Sequence, residues 1–281
     1  MSSFALKEMI LAGWLAGASI ALATAQQAAA PPDFSSNLAG WVGLNGGGPF
    51  YEPVPGVPGR LSPVVSDPAH PFTPNGVDKQ PTFRIADLSN PNLKPWVKAH
   101  MKKDIDEVLA GKKSAFTPQS SCVPAGVPFF MGYGGPDPLV FLQTPKEVWI
   151  VWREDNQARR IYMDVPHTAN PKPSWYGESV GHYEGDTLVV DTIGLNDKTV
   201  VDVYRTPHTE KLHVVERWRM VDSGKAMEVV FTVDDPDAFY EPWTGMRRYR
   251  RVEQEAYEKI CAENNTNLFD YHMPTAEKPD F

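Results

Sequence analysis

Residues 175–192 read WYGESVGHYEGDTLVVDT. Two runs, 175–183 and 187–192, flank Glu184-Gly185-Asp186, and a glycine in so short a connection is what a tight β-hairpin needs. Reading outward from it, the period of two recurs. Downstream, residues 212–220 and 226–233 form a second hairpin around Ser223-Gly224, and 247–252 add a further strand. Upstream, residues 139–143, 147–153 and 159–163 read as strands, the last two joined at Asp155-Asn156. Seven or eight consecutive strands with almost no helix between them predict an antiparallel meander. Closure removes its exposed edges. The expected fold is therefore mainly β: a single antiparallel lipocalin-like barrel, a calycin-type meander over residues 112–281 that ends in a helix near 253–264.

Ahead of the barrel, residues 95–111 predict one amphipathic helix. Pro95 suits its first turn, Trp96, Val97, His100, Met101, Ile105, Val108 and Leu109 recur at helical spacing, and Gly111 sits where a cap belongs. His100 is expected on the apolar side. Between Pro49 and Pro95 there are eleven prolines, a density that forbids a continuous helix or a central strand. Residues 26–94 are thus expected to be an extended arm. Its aromatics, among them Trp41, Phe50, Tyr51, Phe72 and Phe83, predict that it wraps the core instead of floating as a linker.

The first 25 residues decide the expected compartment. Lys7, the apolar run from residue 9 to 22, and Ala23-Thr24-Ala25 before Gln26 have the form of a cleavable secretory signal, placing the protein in the periplasm or outside the cell. No span follows the signal. In an oxidising compartment Cys122 and Cys261 predict one disulfide. With 27 Lys+Arg against 35 Asp+Glu the formal net charge is −8, which argues against a nucleic-acid partner. Residue identities leave the oligomeric state open.

Strand parity picks out the residues able to carry chemistry. In 212–220, Glu216 shares the apolar face of Leu212, Val214, Trp218 and Met220, where a carboxylate has to be paired or neutral; Arg248 or Arg250 of the last strand is a conceivable partner. A buried ion pair that fixes the register is the alternative to a functional role there. His208 and His213 stand at a strand entrance, His182 closes the strand before the 184–186 turn, and Asp191 lies in the returning strand. His182, His208, His213, Asp191 and Glu216 form the expected acid/base set, because imidazole moves protons near neutral pH. Trp152, Trp175, Tyr183, Trp218 and Trp243 are the expected substrate-binding aromatics. No cofactor is expected; a divalent metal on His182, His208 and His213 is the alternative, although their spacing fits no compact ligand motif. Ser179 lies in a G-x-S-x-G match whose context is wrong, since a strand follows it where a nucleophile elbow requires a helix.

The run 175–192, followed by PHTEKLHVVER at 207–217, resembles a largely uncharacterised family of exported bacterial proteins. Its motif is W-x-G-x-S-x-G-x-x-E-G-D-T-L-V-V-D-T, then P-H-[ST]-E-x-L-H-V-x-E-R. The likeness covers about the C-terminal half, with Tyr183 standing where many such relatives have Trp. It implies export and no particular reaction. The functional expectation from the residues is an exported small-molecule enzyme of the isomerase, lyase or cyclase type, working by general acid/base chemistry on an apolar or aromatic substrate inside the barrel. The alternatives are a lipocalin-like carrier of a hydrophobic small molecule and an envelope protein whose arm mediates assembly.

Overall fold

The computed structural model describes residues 30–35, 40–44, 51–57, 62–71, 84–112, 122–132, 138–152 and 157–253. Nine strands close into a barrel in chain order: β1 (Gly40–Gly43), β2 (Leu139–Gln143), β3 (Glu147–Trp152), β4 (Gln157–Met163), β5 (Glu178–Glu184), β6 (Thr187–Ile193), β7 (His213–Val221), β8 (Ala226–Asp234) and β9 (Trp243–Val252). The signal segment, the C-terminal helix, Phe50, Phe72, Phe83 and Cys261 lie outside the described residues, so the Cys122 pairing does too. Among the described residues no helix is long and apolar enough to cross a membrane.

The meander is not purely antiparallel. β4 and β5 run parallel, with Ile161 opposite Ser179, while the other neighbouring pairs, including β1 with β9, are antiparallel. The reason is parity. Every antiparallel neighbour reverses direction, and a closed ring returns to its starting direction only after an even number of reversals, so nine strands require a parallel pair. The missing ninth strand in the sequence reading was β1, hidden in the proline-rich arm. A parallel neighbour also demands a long connection, here residues 164–177, where an antiparallel one needs only a hairpin. The β5–β6 hairpin is of that shorter kind. Gly185 at its first turn position has φ 61°, the left-handed backbone that a glycine adopts without strain.

Alternation fills the interior. Trp41, Trp152, Trp218, Trp243 and Tyr249 are at most 2% exposed, and Phe141, Ile150, Ile161, Val190 and Val229 are fully buried. Trp218 lies edge-on to Phe141 at 5.4 Å and stacks on Tyr249 at 5.8 Å. The arm seals this core: Trp41 Nε1 donates to the Phe34 carbonyl at 2.9 Å, Tyr51 Oη donates to the Pro128 carbonyl at 2.8 Å, and Glu52 bridges to Met246 on the outside of β9. The helix α1 (Pro95–Leu109) buries Val97, Met101, Ile105 and Val108. That stripe is narrower than the sequence suggests, so His100 is rotated into solvent instead of the core. A one-turn helix, α2 (Phe129–Gly132), adds Phe129 and Phe130 to the core.

The loop between β6 and β7 is pinned from within. Asp202 Oδ1 accepts from the backbone N–H groups of Tyr204 (2.8 Å) and Thr206 (3.2 Å), and Oδ2 accepts from Thr206 Oγ1 at 2.8 Å. Complete burial outweighs these bonds and pushes the Asp202 carboxyl up to about 6. A raised acid binds its proton more tightly when folded, so its contribution is fully present below the unfolded pKa and is lost as pH rises through the folded one. Between about pH 4 and 6 the wild type should therefore lose roughly 3 kcal/mol relative to Asp202→Asn, which keeps the acceptor oxygen and does not ionise. Urea unfolding of both proteins across that range checks it; parallel curves would assign the burial cost elsewhere.

Candidate functional site

The five expected acid/base residues separate into three environments. Glu216 is fully buried against Arg159, with Arg159 Nη2 2.7 Å from Glu216 Oε1 and Arg159 Nη1 donating to Oε2 at 2.9 Å. Trp218 Nε1 also donates to Oε2, at 2.8 Å. Arg159 reaches Ser179 Oγ at 3.2 Å through Nε and Thr192 Oγ1 at 2.7 Å through Nη2. This polar knot sits in the middle of the barrel interior. The partner is thus Arg159, not Arg248 or Arg250, whose side chains leave by the outer face; Met246 shares that face and is buried because the arm covers it. Ser179 is committed to the knot, so its motif match does not build a nucleophile.

His208 is buried and serves the loop. Its Nδ1–H donates to the Thr209 carbonyl at 3.0 Å, which leaves Nε2 to accept from Thr199 Oγ1 at 2.8 Å. Burial lowers its pKa, with weaker opposition from the Thr209 carbonyl and nearby acids. His182 is exposed and touches Glu184 at 3.1 Å. His182, His208 and His213 therefore each bind different neighbours. Among the described residues no group of three or more His, Cys, Asp or Glu side chains is arranged to hold a metal ion.

His213 and Asp191 do come together. Both point outward from the barrel wall, Asp191 opposite Val180 on β5 and Val215 on β7. Glu178 and His213 stand two residues along from those partners, which makes both of them diagonal neighbours of Asp191. The 164–177 connection then lays His167 between the carboxylates. His167 Nδ1 is 3.0 Å from Glu178 Oε1, His167 Nε2 is 2.9 Å from Asp191 Oδ1, and His213 Nε2 is 2.9 Å from that same Oδ1. The chain Glu178–His167–Asp191–His213 thus alternates carboxylate and imidazole.

The electrostatics follow the contacts. The His213 hydrogen bond, against a burial penalty and with help from His167, holds the Asp191 carboxyl below its ordinary value. Reciprocally, the Asp191 hydrogen bond raises His213 against partial burial. At Glu178 burial opposes ionisation, but the Thr168 N–H at 2.7 Å and His167 together outweigh it, and the net shift is downward. Both carboxylates are ionised at neutral pH.

One end of this chain opens onto a groove of about 340 Å³ on the outer wall. Glu178 lines it together with Tyr162, Thr168, Asn170, Pro171, Lys172 and Gly177. Tyr162 is buttressed by Arg160, whose guanidinium lies 4.4 Å from the ring centroid and is ion-paired to Glu147. The expected substrate-binding aromatics do not line it. Trp152, Trp218 and Trp243 are interior core, Trp175 is half-buried on the connection, and half-buried Tyr183 accepts a hydrogen bond from Gln143 Nε2 at 2.8 Å. His167, Glu178 and Lys172 were not singled out in the sequence, where His167 and Lys172 stand among prolines with no period around them. Compared with protein-family models, curated proteins and solved structures, the chain matches none.

Proposed function

We propose that the protein is an exported small-molecule enzyme of the isomerase, lyase or cyclase type, working by general acid/base catalysis at the outer-wall groove. The observation that carries this is the Glu178–His167–Asp191–His213 chain, which links a groove carboxylate to a half-exposed imidazole by three contacts of 2.9–3.0 Å. Glu178 is the base: it is held ionised and lines the groove, where its carboxylate can accept a proton from substrate. His167 and Asp191 are positioning residues, His167 holding Glu178 Oε1 and Asp191 holding His167, and His213 connects the chain to solvent. Proton transfer by such a placed group contributes about 10²- to 10⁴-fold to a rate. The groove's Thr168, Asn170, Lys172 and Glu178 support a polar substrate over the apolar or aromatic one suggested by composition. A lipocalin-like carrier with its guest inside the barrel finds less support, because tryptophans and the Arg159–Glu216 knot occupy that space.

The test is a panel of amino acids, hydroxy acids, oxo acids and sugars incubated with the protein in D₂O and followed by proton NMR, which reads both C–H exchange and new products. Wild type is expected to act on at least one compound, Glu178→Gln to be slower by about 10²-fold or more, and His213→Gln to change the pH profile. Activity on no compound, or Glu178→Gln as fast as wild type, overturns the proposal; binding without turnover points to a non-catalytic ligand-binding module.

A further inference from the structure

The groove holds one side chain of each sign, and the two do not neutralise each other. Glu178 brings a carboxylate whose Oε1 takes the His167 contact at 3.0 Å and the Thr168 N–H at 2.7 Å, with the Thr168 side chain also helping to hold it ionised. Lys172 brings an ammonium that makes no ion pair or hydrogen bond among the described residues, with Glu178 or with anything else, although the groove is common to both. Elsewhere on the barrel wall charges are spent on one another: Arg160 on Glu147, Arg217 on Glu184, and Arg219 and Arg248 on Glu228. Lys172 has no such partner among the described residues. A lone cation and a carboxylate held ionised across one concave, polar surface form a dipolar field that a neutral guest does not use and a singly charged guest uses only by half.

We propose that the groove binds a small zwitterion, an amino acid or the free amino acid unit of a short peptide, with its carboxylate on Lys172 and its ammonium on the Glu178 carboxylate. This rests on the groove being the substrate site. The remaining lining agrees with the size and polarity of such a guest. A volume of about 340 Å³ encloses an amino acid with room for water, and Tyr162, Thr168 and Asn170 supply hydroxyl and amide groups beside it. Lys172 acts as a point charge, which suits a carboxylate that has to be reached by a flexible stem.

Titration calorimetry on the full chain, with each standard L-amino acid as the probe, tests it. At least one is expected to bind with a Kd below about 1 mM, and its methyl ester and its N-acetyl derivative are each expected to bind at least tenfold more weakly. Lys172→Ala should remove the difference between acid and ester, and Glu178→Gln the difference between amine and N-acetyl amine. Because Glu178 also holds His167, unfolding midpoints accompany that variant; Lys172 is exposed and keeps the test decisive if Glu178→Gln is unstable. Failure of every amino acid to bind, or capped forms that bind as well as free ones, overturns the inference. Zwitterion selectivity lost while the D₂O panel still shows Glu178-dependent turnover removes only this inference; selectivity kept without turnover removes only the catalytic proposal.

Discussion

Glu216→Ala lowers the free energy of unfolding by about 3–5 kcal/mol, read as a drop in the urea midpoint, because it strands the Arg159 guanidinium in the buried interior. Both side chains of the pair are 0% exposed, so solvent screening does not soften the loss. Arg159→Ala strands the carboxylate instead and should cost a similar amount. The informative variant is the double replacement Arg159→Met/Glu216→Gln. It removes both charges yet leaves an acceptor for Trp218 Nε1, which otherwise becomes a buried donor with no partner. Its midpoint is expected to lie much closer to wild type than that of either single variant. A double variant as unstable as the sum of the singles would show that the two side chains contribute independently and that stranded charge does not account for the single losses.

Gly177→Ala is the second large effect, at about 3 kcal/mol or more. Gly177 has φ 62°, and a Cβ built there would stand 2.4 Å from the Ile193 carbonyl oxygen and 3.2 Å from side-chain atoms of Leu195 and Thr192. The backbone oxygen cannot swing aside as a long side chain would. Gly185→Ala is the control: its φ is 61°, but nothing lies within 4 Å of its added Cβ. The control isolates the conformational penalty, about 1–2 kcal/mol, and the excess at Gly177 measures the clash. Because Gly177 lines the groove, the variant should also weaken ligand binding, whereas Gly185→Ala should not. Equal midpoints for the two variants would mean that the 193–195 backbone yields easily.

Much of the barrel was legible because period-two patterning and turn glycines survive in one chain. Residues 139–143 were read to the residue, and the 187–192 and 226–233 strands to within one position. The placement of Glu216 on an inner face followed from Val214 and Trp218. Its partner was legible too, since Arg159 alternates with Ile161 and Met163, yet Arg248 and Arg250 drew attention because they alternate with Met246. Met246 is apolar for another reason: the arm lies over it, an association between segments far apart in sequence that no local period records. β1 was missed on the same account, four residues inside a stretch that looks extended throughout. At the site, His213 and Asp191 sat on readable strands. His167 and Lys172 sit on an irregular connection whose course is set by the geometry of the ring, so their proximity to Glu178 had no one-dimensional signature.

An odd number of staves obliges the chain to travel once along the outside before it rejoins the ring. Residues 164–177 make that journey mostly outside the ladder, tied to it by Asp164 on Gly181 and by Ser174, which bridges to Leu195. Frame and strap are thereby only partly separable: Thr168, Asn170, Pro171 and Lys172 of the groove belong to the strap, whereas Tyr162 and Glu178 belong to staves and face away from the packed interior.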